Sequence, residues 1–256
     1  MRFRPCIDIH NGAVKQIVGG SLKDSGDQAE NNFVSSRDAD HYAEKYKKDG
    51  LTGGHIILLN PEGSTWYEKD VRQAALALEA YPGGLQLGGG IHPGNAERFL
   101  DMGASHVIVT SFVFRNGIID YDRLKELSSL IGKDRLVLDL SCRFYQDGYY
   151  IVTDRWQNKT EQKLNQETIV ELAGYCDEFL VHAVDVEGKH SGIDKNVIQI
   201  LADSPCCPIT YAGGIHSLED VEFIRREGRG AIDFTIGTAL DLFGGPIPYE
   251  QVISLK

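Results

Sequence analysis

The chain has 256 residues, with 37 Asp and Glu against 26 Lys and Arg, and its formal net charge of −11 argues against a nucleic-acid or anionic-membrane surface. Its 42% hydrophobic content suffices for a full core, yet no stretch approaches the ~18 apolar residues of a membrane span. Five cysteines (Cys6, Cys142, Cys176, Cys206, Cys207) include no C-x-x-C pair, so they read as reduced thiols, and with no apolar signal region the expected location is the cytoplasm.

Apolar runs that predict strands lie at Phe3–Ile9, His55–Leu59, Leu85–Leu87, His106–Val109, Leu136–Leu140, Phe179–Ala183, Ile209–Ala212 and Ala231–Ile236. Helical patterns fall between them at Asp38–Asp49, Lys69–Ala80, Asn95–Met102, Tyr121–Leu130, Gln166–Tyr175, Lys195–Ala202 and Leu218–Glu227, with Asn165 and Ser217 placed as caps. Ile56-Ile57-Leu58-Leu59 and Leu136-Val137-Leu138 show no polar alternation, as parallel strands covered on both faces require. Eight such units predict one α/β domain over residues 1–256, a (β/α)8 barrel; an open doubly wound sheet is the structural rival. Asn11–Ser36 and Arg143–Lys163 exceed ordinary loop length, the second with a hairpin signal at Gln146-Asp147-Gly148-Tyr149, and both are expected over the catalytic face.

The two halves repeat each other. Gly89-Gly90-Ile91-His92 recurs 124 positions later as Gly213-Gly214-Ile215-His216, and Val109-Thr110-Ser111 is answered by Ile236-Gly237-Thr238. Glycines between a strand and the next helix let backbone N–H groups approach an anion. Gly89 and Gly90 with Thr110 and Ser111, and Gly213 and Gly214 with Gly237 and Thr238, therefore predict two phosphate sites in two similar half-barrels, and a small-molecule substrate phosphorylated at both ends.

Asp8 and Asp139 end the first and fifth strands, which face each other across a barrel of eight. Carboxyls flanked by Ile, Val and Leu are costly unless hydrogen-bonded or used, and two in unlike surroundings can divide base and acid roles. Trp156, in the long loop, is placed to stack on a flat heterocycle or to pack its own loop. His182, ending the sixth strand, reads first as a structural group. Lys15 and Arg143 are candidates to touch substrate, or simply solvated. His10, His182 and His190 lack zinc spacing, Cys142 lacks an activating partner, and no metal or cofactor is predicted.

Cys6-Ile7-Asp8-Ile9-His10-Asn11-Gly12 with Gln86-Leu87-Gly88-Gly89-Gly90-Ile91 resembles the histidine-biosynthesis barrels, over essentially the whole chain. The stretches Val137–Arg143 and His182–Gly188 resemble the eukaryotic branch of the isomerase that acts on N-(5′-phosphoribosylformimino)-5-aminoimidazole-4-carboxamide ribonucleotide. The resemblance implies a cofactor-free Amadori rearrangement of an aminoaldose to an aminoketose, with Asp8 as base, Asp139 as acid and Trp156 against an aromatic part of the ligand. It departs from many bacterial relatives at Glu187-Gly188-Lys189, at Ala183 and at His92-Pro93. The sister cyclase that makes imidazole glycerol phosphate, a related barrel that also isomerises phosphoribosylanthranilate, and a non-catalytic phosphoribosyl-ligand binding barrel are the alternatives. A monomer is expected, without nucleic-acid or membrane partners.

Overall fold

The apolar runs become eight parallel strands: β1 Cys6–His10, β2 Gly54–Leu58, β3 Leu85–Gly88, β4 Val107–Val109, β5 Leu136–Asp139, β6 Glu178–His182, β7 Ile209–Ala212 and β8 Ile232–Phe234. The computed structural model describes residues 1–18, 21–22, 29–189, 192–204 and 206–255. Each strand pairs in parallel with the next. The ends meet where Phe3 pairs with Phe234, with Arg4 N donating to Phe234 O at 2.8 Å and Phe234 N to Arg2 O at 3.0 Å. The result is the (β/α)8 barrel. The predicted first strand is split because Pro5 has no N–H for the ladder; residues before it close the barrel and residues after it pair with β2.

Among the described residues, eight α-helices cover the outside: α1 Ala39–Lys48, α2 Tyr67–Ala80, α3 Ala96–Asp101, α4 Tyr121–Ile131, α5 Gln166–Leu172, α6 Lys195–Ala202, α7 Leu218–Glu227 and α8 Tyr249–Ile253. Asn165 Oδ1 accepts from Thr168 N at 2.9 Å and Ser217 Oγ from Asp220 N at 3.3 Å, so both predicted caps satisfy an orphan donor of the first turn. The last α-helix, of five residues, escapes the periodicity reading.

Side chains alternate along each strand, and this sorts the barrel into an outer core and inner storeys. Ile7, Ile9, Leu136, Leu138, Phe179 and Val181 join the core under the helices. Ile108, Val137, Leu180 and Ala212 form a separate cluster inside the barrel. Below it lies a buried ionic plug: Arg4 contacts Asp233 at 2.8 Å and Glu178 at 3.0 Å, and Gln86 donates to Glu178 at 3.0 Å. Mutual pairing is what makes these buried charges tolerable. Two residues above the apolar storey, on the same inward face, come Asp139 on β5 and His182 on β6.

Both long loops carry structure. Asn11 and Gly12, with φ of 53° and 75°, turn the chain tightly after β1, and residues 13–17 run back antiparallel to pair with it and with residues 31–34. Residues 142–145, 148–153 and 158–163 form a three-stranded antiparallel sheet over the mouth. Asp154, Arg155 and Trp156 bend its second turn with φ of 52°, 56° and 66°.

Candidate active site

Among the described residues, two neighbouring cavities open at the C-terminal ends of the strands, where loops of such a barrel build its site. The larger, about 570 Å³, is lined by Gly89, Gly90, Thr110, Ser111, Asp139 and Trp156. The other is lined by Gly213, Gly214, Gly237 and Thr238. Asp8, Gln16, His182 and Glu187 line both. The two glycine groups predicted from the repeat thus fall one to each cavity, and the acidic cluster stands at their junction.

The glycines are sterically required at matching places in the two halves. A Cβ on Gly89 (φ 105°) would collide with the carbonyl oxygen of Leu58, and one on Gly213 (φ 122°) would come 2.8 Å from the carbonyl of Ala183. Each sits against the end of the neighbouring strand, where only a hydrogen fits. The following turns also match: His92 N donates to Asn95 Oδ1 at 2.9 Å and His216 N to Asp220 Oδ2 at 3.0 Å.

Asp8 is held by the first loop. Gln16, 3% exposed on the antiparallel arm, donates its amide to Asp8 Oδ2 at 3.1 Å. On the opposite wall Asp139 Oδ1 accepts from Ser141 Oγ at 2.8 Å and lies 3.5 Å from His182 Nδ1. Thr110, just after β4, also favours the ionised form of this carboxylate. Trp156 Nε1 donates to Ser141 Oγ at 3.0 Å, and its ring centroid lies 5.9 Å from that of His182. The lid is therefore tied to Asp139 through one hydroxyl.

Electrostatics divide the two aspartates sharply. Burial, then the charge of Glu187, pushes Asp8 from 3.8 up to about 7, with His182 and Gln16 offsetting part. Burial would raise Asp139 too, but the His182 cation and the bonds from His182, Ser141 and Thr110 outweigh it and hold the carboxyl below its ordinary range. Burial disfavours charge on His182; Asp139 first, then Glu187 and Asp8, raise it from 6.5 to about 9. Glu187 is raised by burial, with His182 opposing. His55, packed edge-on to His182 at 6.2 Å, is driven by burial to about 3 and stays neutral.

Other sequence candidates fall away from the cluster. Arg143 reaches Asp185 at 3.5 Å, and neither it nor Lys15 lines the cavities. Cys142 is 1% exposed and burial pushes its thiol upward, the wrong direction for a nucleophile. His190 lies outside the described residues. Among the described residues, no three His, Cys, Asp or Glu are grouped to hold a metal, and no helix is long and apolar enough to cross a membrane. The sequence reading undervalued Gln16, Ser141, His182 and Glu187. The signal for His182 was its place two residues beyond inward Leu180 on the wall shared with Asp139; Gln16 and Ser141 gave none.

Relatives with closely similar sequences cover nearly the whole chain. It is 50% identical, over 99% of its length and 81% of the relative's, to the 1-(5-phosphoribosyl)-5-((5-phosphoribosylamino)methylideneamino)imidazole-4-carboxamide isomerase of Medicago truncatula, whose name marks it as chloroplastic. It is 42% identical to the Yarrowia lipolytica isomerase of that name and 43% to the Saccharomyces cerevisiae one, in both cases over 95% of this chain and 93% of the relative. Residues 2–245 match the family described as Histidine biosynthesis protein. With its barrel, its repeated glycine turns and a match spanning most of its length, the chain belongs to the histidine biosynthesis protein family.

Proposed function

We propose that this chain is an aldose–ketose isomerase that converts the phosphoribosylamino end of 1-(5-phosphoribosyl)-5-((5-phosphoribosylamino)methylideneamino)imidazole-4-carboxamide to the phosphoribulosyl isomer. One observation carries the reading: Asp8, His182 and Glu187 lie between two cavities, each bearing a glycine turn of the repeat. A substrate with a phosphate at each end, one in each glycine turn, would lay its reacting carbons across that junction. The names of the relatives supply the chemistry that fits it.

The residues then take definite roles. Gly89, Gly90, Thr110 and Ser111 cradle one phosphate by amides and hydroxyls, and Gly213, Gly214, Gly237 and Thr238 cradle the other. Anchoring both ends removes the entropy of orienting a long, flexible substrate. Proton donation from the wall formed by Asp139 and His182 to the ribose ring oxygen opens the ring to a protonated Schiff base. Asp8 removes the C2′ proton to give an enolamine, which tautomerises to the ketose. Trp156 covers the imidazole carboxamide. Proton transfers alone balance this rearrangement, so it needs no cofactor and no metal.

The same reading takes a single barrel unit, monomeric and cytoplasmic, as sufficient; gel filtration and cell fractionation check the last two. Purified protein incubated with the aminoaldose, without ammonia or a glutaminase, should yield the ketose. Absence of conversion would sink the isomerase reading, and a protein that instead consumed the ketose only when ammonia is supplied would favour the cyclase.

A further inference from the structure

Gln16 is wedged between Asp8 and one of the glycine turns. It lies on the antiparallel arm, whose pairing with residues 31–34 slips register between Gln16 and Ile17, a kink of the kind that re-aims a side chain. The side chain is 3% exposed, a costly place for an amide unless its polar atoms are used. Its Nε2 donates to Asp8 Oδ2 at 3.1 Å and to Cys6 Sγ at 3.7 Å. An ionised carboxylate only accepts, so the nitrogen must face Asp8 and the oxygen must face away from it. There Oε1 meets Gly237, and a Cβ at that residue would collide with it. Gly237 lacks the left-handed φ of Gly89, Gly90, Gly213 and Gly214, so it is a glycine for room rather than for conformation.

On the reading that this chain is the isomerase, we propose that Gln16 is a positioning residue for the base Asp8. Gly237 is bare of a side chain to admit it, so the base and the phosphate turn after β8 form one unit. With Oδ2 engaged by the amide, Oδ1 of Asp8 is left to take the C2′ proton. Gln16 lines both cavities, as that bridging place requires. A phosphate that orders the Gly237-Thr238 turn thereby also holds the amide against the carboxylate, so anchoring the substrate aims the base.

Several neighbours set the charge on Asp8. Glu187 after β6 disfavours its ionised form and His182 on β6 favours it. Cys6 on the same strand and Tyr46 on α1 are pushed upward by burial and stay neutral. Gln16 is the uncharged amide of this set, and its bond favours the ionised base. A carboxyl that loses this bond ionises later as pH rises. A side chain that only filled space would leave the midpoint where it was.

The test compares wild type, Q16A, G237A and Q16A/G237A with the aminoaldose; Q16M, of matching length, replaces Q16A should the smaller residue fail to fold. Q16A should lose roughly tenfold or more in kcat, the scale of a hydrogen bond to a charged group, with KM changed by less than about threefold. The acid limb of its kcat/KM profile should move up from about 7 by roughly one pH unit while the alkaline limb stays in place. G237A should move that limb the same way, and the double variant should lie within about threefold of Q16A, because the added methyl then has room. An unmoved acid limb in Q16A, or a G237A cost as large in the Q16A background as in wild type, would overturn the proposal. If G237A unfolds at the assay temperature while the double variant stays folded, the pairing is supported; if both unfold, it is overturned. Absent turnover in wild type would instead defeat the isomerase reading, and carbon-13 NMR titration of the Asp8 carboxyl in wild type and Q16A then decides. A higher midpoint in Q16A supports the positioning role, and an equal one overturns it.

Discussion

Replacing Asp8 by asparagine should make the protein more stable above neutral pH while abolishing turnover. The Asp8 carboxyl is raised from 3.8 to about 7 by burial and by Glu187. Between those values the folded state keeps a proton that the unfolded chain has released, so stability falls as pH rises through that window and levels off above it. At ~1.4 kcal/mol per pH unit, the gap from 3.8 to about 7 amounts to about 4 kcal/mol. The asparagine side chain can still accept the Gln16 amide but never ionises, so the variant escapes this cost; part of the gain is already shared with Glu187, leaving an expected ~2 to 4 kcal/mol. Urea unfolding of wild type and Asp8→Asn at pH 5, 6, 7 and 8 reads the effect. The two stabilities should diverge in favour of the variant from pH 5 to about 7 and then differ by a nearly constant amount to pH 8. A difference that is constant over this range would refute the view that Asp8 is destabilised by its surroundings.

Three further outcomes follow from the same geometry. The pH dependence of kcat/KM should be bell-shaped, rising through about 7 as Asp8 ionises and falling through about 9 as His182 loses its proton; a profile flat from 6 to 10 would contradict it. Gly213→Ala should destabilise by roughly 2 kcal/mol or more and weaken binding of inorganic phosphate, whereas Gly90→Ala, with nothing within 4 Å of the added Cβ, should cost only about 1 to 2 kcal/mol in thermal melts. Ser141→Ala leaves Trp156 Nε1 without its acceptor and removes one donor from Asp139, so kcat should drop roughly tenfold with a shift in tryptophan emission; unchanged kcat and emission would show the link to be idle.

The barrel was legible because its strands are sealed on both faces, so β2 and β5 read as unbroken apolar runs, and because capped helices such as those after Asn165 and Ser217 announce their starts. The repeat also pointed correctly to two glycine turns. Closure between Phe3 and Phe234 was less visible, since a single residue pair has no periodicity. The antiparallel arm after β1 did carry a signal, Asn11-Gly12, whose left-handed turn reads as a hairpin; the surrounding glycines and polar residues concealed it. At the site, Asp8 and Asp139 stood out as charges in apolar strands. Their division of labour did not, because it depends on which donors reach each carboxyl. Ser141, Thr110 and His182 converge on Asp139 from the ends of β5, β4 and β6, and such convergence is a property of the closed barrel rather than of any segment.

The most direct measurement is a crystal structure of Asp8→Asn with the bisphosphorylated ketose bound. One phosphate should lie against Gly89, Gly90 and Ser111, the other against Gly213, Gly214 and Thr238, with C1′ and C2′ within ~3.5 Å of the substituted side chain and the oxygen on C2′ facing His182. A ligand with either phosphate outside its glycine turn, or with its ribulose carbons away from that junction, would contradict the account.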